Sequence, residues 1–305
     1  MSGTVILGGG SGFIGTALGN LLRRHGYNII TVSRMPGPNR MSWIELMKNG
    51  IPDSCKAVIN LAGQNILDPK QRWTPGFQQN VYSSRINTTQ WLAEAIDKAS
   101  AKPEVFITVS GVGYYKPSET EVYNEHSPGG DFDYLSKLCT DWEAAAKLGQ
   151  STDVRQVTIR SGVVLGRQGG MIQNLYWPFY FGVGGPIGSG KQFLPWIHVH
   201  DIARLFLFAL QNNKVNGVIN GVAPQICTNG EFSKAFGQAM WRPWFLPMPE
   251  FVVNFVFGGE RGMIMTKGQN VAPKRVLEYG FEYIYPDIKS ASENLAQMIV
   301  VEELM

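Results

Sequence analysis

Val5-Ile6-Leu7-Gly8-Gly9-Gly10-Ser11-Gly12-Phe13-Ile14-Gly15 is the stretch on which the reading of this chain turns. A short apolar run of strand length gives way to glycines, and the glycines open a segment with apolar pairs at Phe13/Ile14, Ala17/Leu18 and Leu21/Leu22. A spacing of four stacks those pairs on one helix face, and Gly26 stands where such a helix ends. A second strand is expected over Asn28 to Ser33, which completes a βαβ unit. Gly9, Gly12 and Gly15 give the G-x-x-G-x-x-G spacing. Without side chains the backbone turns tightly and lets a pyrophosphate approach the N–H groups and dipole of the helix start. A glycine turn alone also serves as a ligand-free βα connection; the strand–loop–helix context favours a dinucleotide. Where an NAD site usually carries Asp or Glu to hold the ribose 2′-hydroxyl, this chain has Ser33-Arg34. A guanidinium there suits a 2′-phosphate, so NADP(H) is the expected cofactor, the plainer alternative being a solvated surface arginine.

The pattern repeats outward. Further strands are expected at Ala57 to Leu61, Val105 to Ser110, Val157 to Arg160 and Gly217 to Asn220, separated by helix-length amphipathic segments such as Asp201 to Leu210. Thr228-x-x-Glu231 offers a capping box for a helix through Met240. From Gly166 the sequence becomes rich in glycine and aromatic residues, and turns are expected to set its course. The expected fold class is α/β, a Rossmann doubly wound parallel sheet with a smaller C-terminal substrate lobe. The Rossmann part runs over 1–165 and is completed by roughly 201–228; the lobe takes 166–200 and 229–305.

Composition narrows the partners. With 27 basic and 24 acidic residues in 305, the formal net charge of +3 gives no field suited to nucleic acid or an anionic membrane. No run approaches the roughly twenty apolar residues that a span requires. Cys55, Cys139 and Cys227 are odd in number and contain no CxxC pair, so neither a disulfide framework nor a zinc site is indicated. The expectation is a cytoplasmic protein with no metal and a small-molecule substrate, with a homodimer as an open partner.

Three further motifs make the likeness specific: Asn60-Leu61-Ala62-Gly63 at a strand end, Ser110-Gly111-Val112-Gly113-Tyr114-Tyr115 after the strand at 105–110, and Trp196-Ile197-His198-Val199-His200-Asp201. With the glycine turn they resemble the extended short-chain dehydrogenase/reductase superfamily. Within it the chain resembles the epimerase-like branch called family 39U member 1. The likeness extends through Arg160 to Gly166 and the tail from Pro249 to Pro286. It implies an NADP(H)-binding fold and an oxidoreductase or epimerase activity, without naming a substrate. Carried over by matching position, Phe13 and Ile14 belong to the glycine turn, and Ser33 and Arg34 meet the adenosine ribose and its phosphate. Leu61 and Ala62 line the path from adenine to ribose while Asn60 shapes the loop. Asn80 and Arg85 stand on the following long helix where it passes the cofactor, and Val164 lies at the nicotinamide end. For Asn80 and Arg85 an ordinary polar helix face is the alternative, and for Val164 a core position.

The resemblance also defines the chemistry to look for: a Ser or Thr that hydrogen-bonds the substrate oxygen, and a Tyr-x-x-x-Lys pair whose tyrosine exchanges a proton. Ser110 fits the first role. The Ser-to-Tyr spacing in the same motif is one residue longer than usual, at Tyr115. The second element is missing: Tyr134 and Lys137 are three apart, and counting back from Trp142-Glu143 the Tyr and Lys slots fall on Leu135 and Cys139. Tyr115 and Tyr134 are thus both candidate proton donors, Tyr115 ahead of Tyr134, each with aromatic packing as its alternative. Trp73, Trp177, Phe179, Tyr180 and Trp196 are candidates for an apolar substrate wall. For His198, His200 and Asp201 a structural role is expected, with Asp201 as a helix cap. The missing pair leaves a second reading open, a dinucleotide-binding sensor or interaction protein.

Overall fold

The computed structural model describes residues 3–34, 37–149 and 153–297. In chain order the strands are β1 (Thr4–Gly8), β2 (Asn28–Ser33), β3 (Arg40–Ser42), β4 (Cys55–Asn60), β5 (Val105–Gly111), β6 (Val122–Tyr123), β7 (Arg155–Ser161), β8 (Val163–Gly166), β9 (Trp196–His198), β10 (Gly217–Gly221) and β11 (Asn270–Val271). The helices are α1 (Phe13–Arg24), α2 (Trp43–Asn49), α3 (Pro75–Lys98), α4 (Tyr134–Ala145), α5 (Gly170–Tyr180), α6 (Val199–Gln211), α7 (Asn229–Ala239), α8 (Glu250–Phe257), α9 (Gly259–Thr266), α10 (Lys274–Glu278) and α11 (Ile288–Ala296).

Seven strands form one parallel sheet in the order β10-β7-β5-β4-β1-β2-β3. The alternation of each strand sorts its residues between two cores. Val5, Leu7, Ile59, Ile107 and Ile159 pack with α1 and α6 on one face, and Ile6, Val58 and Phe106 pack with α2 and α3 on the other. Chain order reverses between β1 and β4, so the crevice of this doubly wound sheet opens at the C-terminal ends of those strands, where a ligand is expected. The helix starts carry their own signals. Thr228 and Glu231 form the expected capping box on α7, and Ser42 and Glu45 form another on α2. α3 begins on Thr74 with Pro75 in its first turn.

A third core joins α5, α7 and α11 through Phe179, Trp196, Phe232, Phe236 and Leu295. Its helix α5 lies inside the stretch expected to be governed by turns. The C-terminal stretch is shared between cores: Val276 and Phe281 enter the main core, while Ile288 and Leu295 enter the third. A sequence division placing everything after 229 in one lobe is coarser than this packing, and 298–305 of that division lie outside the described residues. Among the described residues no helix is long and apolar enough to cross a membrane.

Candidate functional site

The crevice is built first from glycines. Gly9 has φ +73° and donates its N–H to Val32 at 3.1 Å. A Cβ added to it would stand 2.7 Å from the backbone nitrogen of Ala62, and one on Gly15 would stand 2.3 Å from the Gly9 carbonyl oxygen. Both positions therefore exclude any side chain, for two reasons: the first keeps the turn against the β4 loop, the second seats α1 on the turn. Gly12 caps α1 with no side-chain bond, and the first turn carries no acidic residue, so its N–H groups stay available to an anion. Phe13 points away from this turn, its ring filling the space left by Gly166 and Gly169. Ile14 is partly buried against the main core.

Opposite the turn, Asn60 is fully buried. Its side-chain oxygen accepts from the Ala62 N–H at 3.0 Å and its amide donates to Thr89 at 2.8 Å, which fixes the path of Leu61 and Ala62. Arg85 is buried beside that loop: a Cβ on Gly63 would lie 3.0 Å from its guanidinium carbon. Its Nη1 donates to the Val81 carbonyl at 3.0 Å and its plane lies over Trp142 at 5.0 Å. It makes no ion pair among the described residues. Burial pulls its pKa down to about 10, the mark of a cation whose charge lacks compensation. Asn80 is exposed, and at five residues' separation it stands roughly 140° around α3 from Arg85, so the two do not converge.

Ser33 is buried at the end of β2 and Arg34 is exposed beside it. Beneath them, between α1 and the β2–β3 edge, lies a cleft of about 300 Å³ whose lining includes Ser11, Asn20, Arg23, Thr31, Asn39 and Arg40. Among the described residues no carboxylate lines it. Arg23 turns back along α1 to donate to Asn20 at 3.1 Å. Sequence reasoning missed Arg23 and Arg40; Arg40 lies on the three-residue edge strand β3, which no periodicity signals and whose register sets it beside Thr31.

At the end of β5, Ser110 is buried and its Oγ has no hydrogen-bond partner of normal geometry. The Cys139 thiol approaches it from α4, and the Leu135–Cys139 face of that helix packs on Gly111 and Gly113. Burial pushes the Cys139 thiol up to about 11, so the side chain in the lysine slot is neutral and supplies no charge.

The two candidate tyrosines stand in different surroundings. Tyr115 has no exposed surface; its hydroxyl donates to Asn220 at 2.9 Å and accepts from Arg160 at 2.9 Å. Arg160 in turn grips Glu143 with two bonds of 2.7 and 2.8 Å. A phenol so enclosed presents no proton to the crevice. Tyr134 is half-buried in the first turn of α4, donates to the Gln78 carbonyl at 2.9 Å and meets Trp73 edge-on at 5.1 Å. Burial raises its pKa while the Arg85 charge opposes the rise. Lys137 pairs with Asp141 at 3.4 Å instead of with Tyr134.

The aromatic wall does not assemble as expected. Phe179 and Trp196 are core, Tyr180 packs at its edge and Trp177 is exposed, which leaves Trp73 beside Tyr134. Above Trp73, α9 is fastened to the loop after β4. Arg261, almost fully buried, donates to the carbonyls of Ile66, Asp68 and Gln71, and Glu260 accepts from Trp73 and Gln78. Val164 is half-buried on β8 against the main core. His198, not Asp201, caps α6, with Nδ1 accepting from the His200 N–H at 3.2 Å. The Asp201 carboxylate accepts from the Ile284 and Tyr285 N–H groups at 2.8 and 2.9 Å, tying down the C-terminal stretch.

Residues 5–220 match the model of the NAD dependent epimerase/dehydratase family. The chain belongs to that family. Residues 248–295 match a domain of unknown function, DUF1731. This epimerase-family chain is 52% identical to the Homo sapiens epimerase family protein SDR39U1, over 95% of its own length and 99% of that protein's. To the Arabidopsis thaliana chloroplastic SDR39U1 homolog it is 38% identical, over 96% and 87%. The crystal structure of the human protein (isoform 2) with NADPH is similar with a TM-score of 0.95 at 51% identity, covering 97% of this chain and 100% of that one. Within the family it is therefore of the SDR39U1 type.

Proposed function

We propose that this chain is an NADP(H)-dependent oxidoreductase or epimerase-like enzyme acting on a small carbonyl or hydroxyl substrate. The observation that carries the reading is the cradle at the β1–β4 crevice. Gly9 and Gly15 admit no Cβ, α1 starts uncapped, and buried Arg85 adds an uncompensated cation beside Gly63. That combination fits a dinucleotide pyrophosphate and its ribose. The human relative solved with NADPH supports the choice of cofactor. Ser33, Arg34 and the arginine-lined cleft below them supply the 2′-phosphate site, with Arg40 joining Arg34. Leu61, Ala62 and Val164 line the remaining path, and exposed Asn80 contributes at its rim.

A bound nicotinamide supplies the hydride-transfer chemistry. Ser110 holds the substrate oxygen: a buried hydroxyl without a partner costs stability unless a ligand satisfies it. Of the two tyrosines, Tyr134 is the better proton donor, since it keeps exposure beside Trp73 and Arg85 while Tyr115 is sealed. Arg261 fastens the loop after β4 to α9 beside Trp73. Three free and buried thiols support a reducing compartment such as the cytoplasm.

A second reading has its own observation. Leu135 and Cys139 occupy the slots of the family's Tyr and Lys, and a neutral thiol cannot lower a phenol's pKa. That favours a dinucleotide-binding sensor or interaction protein that has lost turnover. NADPH oxidation measured against a panel of small aldehydes and ketones separates the two. Turnover abolished by Ser110→Ala supports the enzyme, and tight NADPH binding with no turnover supports the sensor.

A further inference from the structure

Among the described residues three arginines are buried, and two of them are spent within the protein. Arg160 makes three hydrogen bonds, two of them to the Glu143 carboxylate, and Arg261 makes four to backbone carbonyls. Arg85 makes one, from Nη1 to the Val81 carbonyl, and no ion pair among the described residues. A guanidinium carries five N–H donors, and burying such a cation without an anion or acceptors is costly. Its unspent edge has a direction. Nε and Nη2 each lie 3.3 Å from where a Cβ on Gly63 would stand, so the glycine leaves that edge open to the loop after β4.

The groups whose charge this guanidinium feels are the Cys139 thiol and the Tyr134 phenol. Both stand on α4, Cys139 in the slot where the family's lysine is expected and Tyr134 at the start of the helix. The phenol is aligned with the guanidinium along α3. Tyr134 donates to the Gln78 carbonyl at 2.9 Å, two turns before Arg85, and Nη1 of Arg85 reaches back to Val81 between them. We propose that Arg85 is the positioning cation for Tyr134, supplying from α3 the positive charge that a lysine on α4 would supply and Cys139 does not. The inference rests on Tyr134 being the proton donor of the proposed enzyme. A substrate oxygen that takes the place of the Gln78 carbonyl accepts the Tyr134 proton. The O–H bond on the tyrosine breaks, one forms on the substrate, and the phenolate left behind regains its proton from water. Arg85 holds the charge of that phenolate. The surroundings leave this work to it: Glu260 on α9 and Tyr82 on α3 both disfavour the phenolate, and Lys137, on α4 itself, is turned to Asp141.

Difluorotyrosine in place of Tyr134 in the full chain tests this, since that phenol ionises nearer neutral pH and its fluorine resonance reports one residue without any substrate. Arg85→Gln is expected to raise its midpoint by about one pH unit, a roughly tenfold loss of acidity, and Arg85→Lys to recover at least about half of the shift. A reciprocal reading needs no change at Arg85 and covers a glutamine variant that fails to fold: the Arg85 Nε–H resonance moves with the same midpoint as residue 134 ionises. A midpoint that ignores Arg85→Gln overturns the proposal, as does an Nε–H resonance that stays still through the titration. Carbonyl reduction by the parent chain, measured alongside, tells this failure from that of the enzyme. Turnover with a phenol indifferent to Arg85 overturns the pairing alone, and a phenol that responds to Arg85 in a chain without turnover keeps the pairing and overturns the enzymatic reading.

Discussion

Arg160 donates to the hydroxyl of Tyr115 at 2.9 Å and is itself held by Glu143, so the tyrosine five residues after Ser110 is locked into an ion-pair network. Its ring also lies edge-on to Tyr114 and stacked on Tyr123. The network joins β7, β10 and α4.

Tyr115→Phe strands the Arg160 N–H and the Asn220 side chain that it serves. The expected cost is about 1–3 kcal/mol, a fall in Tm of roughly 2–8 °C, with NADPH affinity within about twofold of the parent. Thermal unfolding with parallel cofactor titration checks this. Loss of turnover without loss of stability would return Tyr115 to catalysis.

Ser110→Ala separates a reacting hydroxyl from a merely buried one. Removing an unpartnered hydroxyl relieves a desolvation penalty, so Tm should hold or rise while carbonyl reduction falls by about 10²-fold or more. Unchanged turnover would remove Ser110 from the mechanism.

Gly15→Ala places a methyl group 2.3 Å from the Gly9 carbonyl oxygen. Backbone must shift to admit it, and NADPH affinity should fall by more than about tenfold, since the turn loses its approach to the pyrophosphate. Isothermal calorimetry reads the loss directly, and full affinity in this variant would mean that the turn does not touch the cofactor.

His198 gives a pH signature. Burial lowers its pKa to about 3, with the neighbouring His200 acting in the same direction. Between pH 6.5 and about 3 the unfolded chain binds a proton that the folded imidazole refuses, so stability present above pH 6.5 is lost as pH falls. At pH 5 the loss from this group is about 2 kcal/mol. Asp201, raised by burial, acts in the opposite direction, and His200, lowered by burial, acts in the same one, so the contribution of His198 is read as the difference between Tm series from pH 7.5 to about 5 on the parent and on a His198 variant. His198→Asn should flatten that series.

The main sheet was legible because its rules are local. The glycine spacing, the alternation that sends Val5 and Leu7 to one core and Ile6 to the other, and the Thr228–Glu231 box each act within a few residues. What escaped was set by distance or hidden by composition. Tyr115 lies 45 residues from Arg160 and 105 from Asn220, and only sheet order brings them together. Helix α5 is masked by its glycine- and aromatic-rich surroundings, and the three-residue strand β3 is too short for periodicity to reveal, which concealed Arg40. The exchange of cap and tie between His198 and Asp201 depends on the Ile284–Tyr285 backbone, more than eighty residues away.

In the proposed function the crevice binds NADP(H) through its glycine turn and reads the 2′-phosphate with Arg34 and Arg40. Titration of the purified chain with NADPH and with NADH, followed by nicotinamide fluorescence, tests it most directly when repeated on Arg34→Ala and Arg40→Ala. The predicted result is NADPH bound at least about tenfold more tightly than NADH, with each substitution eroding that preference while NADH affinity stays put. Equal affinity for the two nucleotides, or a preference untouched by both substitutions, would mean that Arg34 and Arg40 do not read a 2′-phosphate.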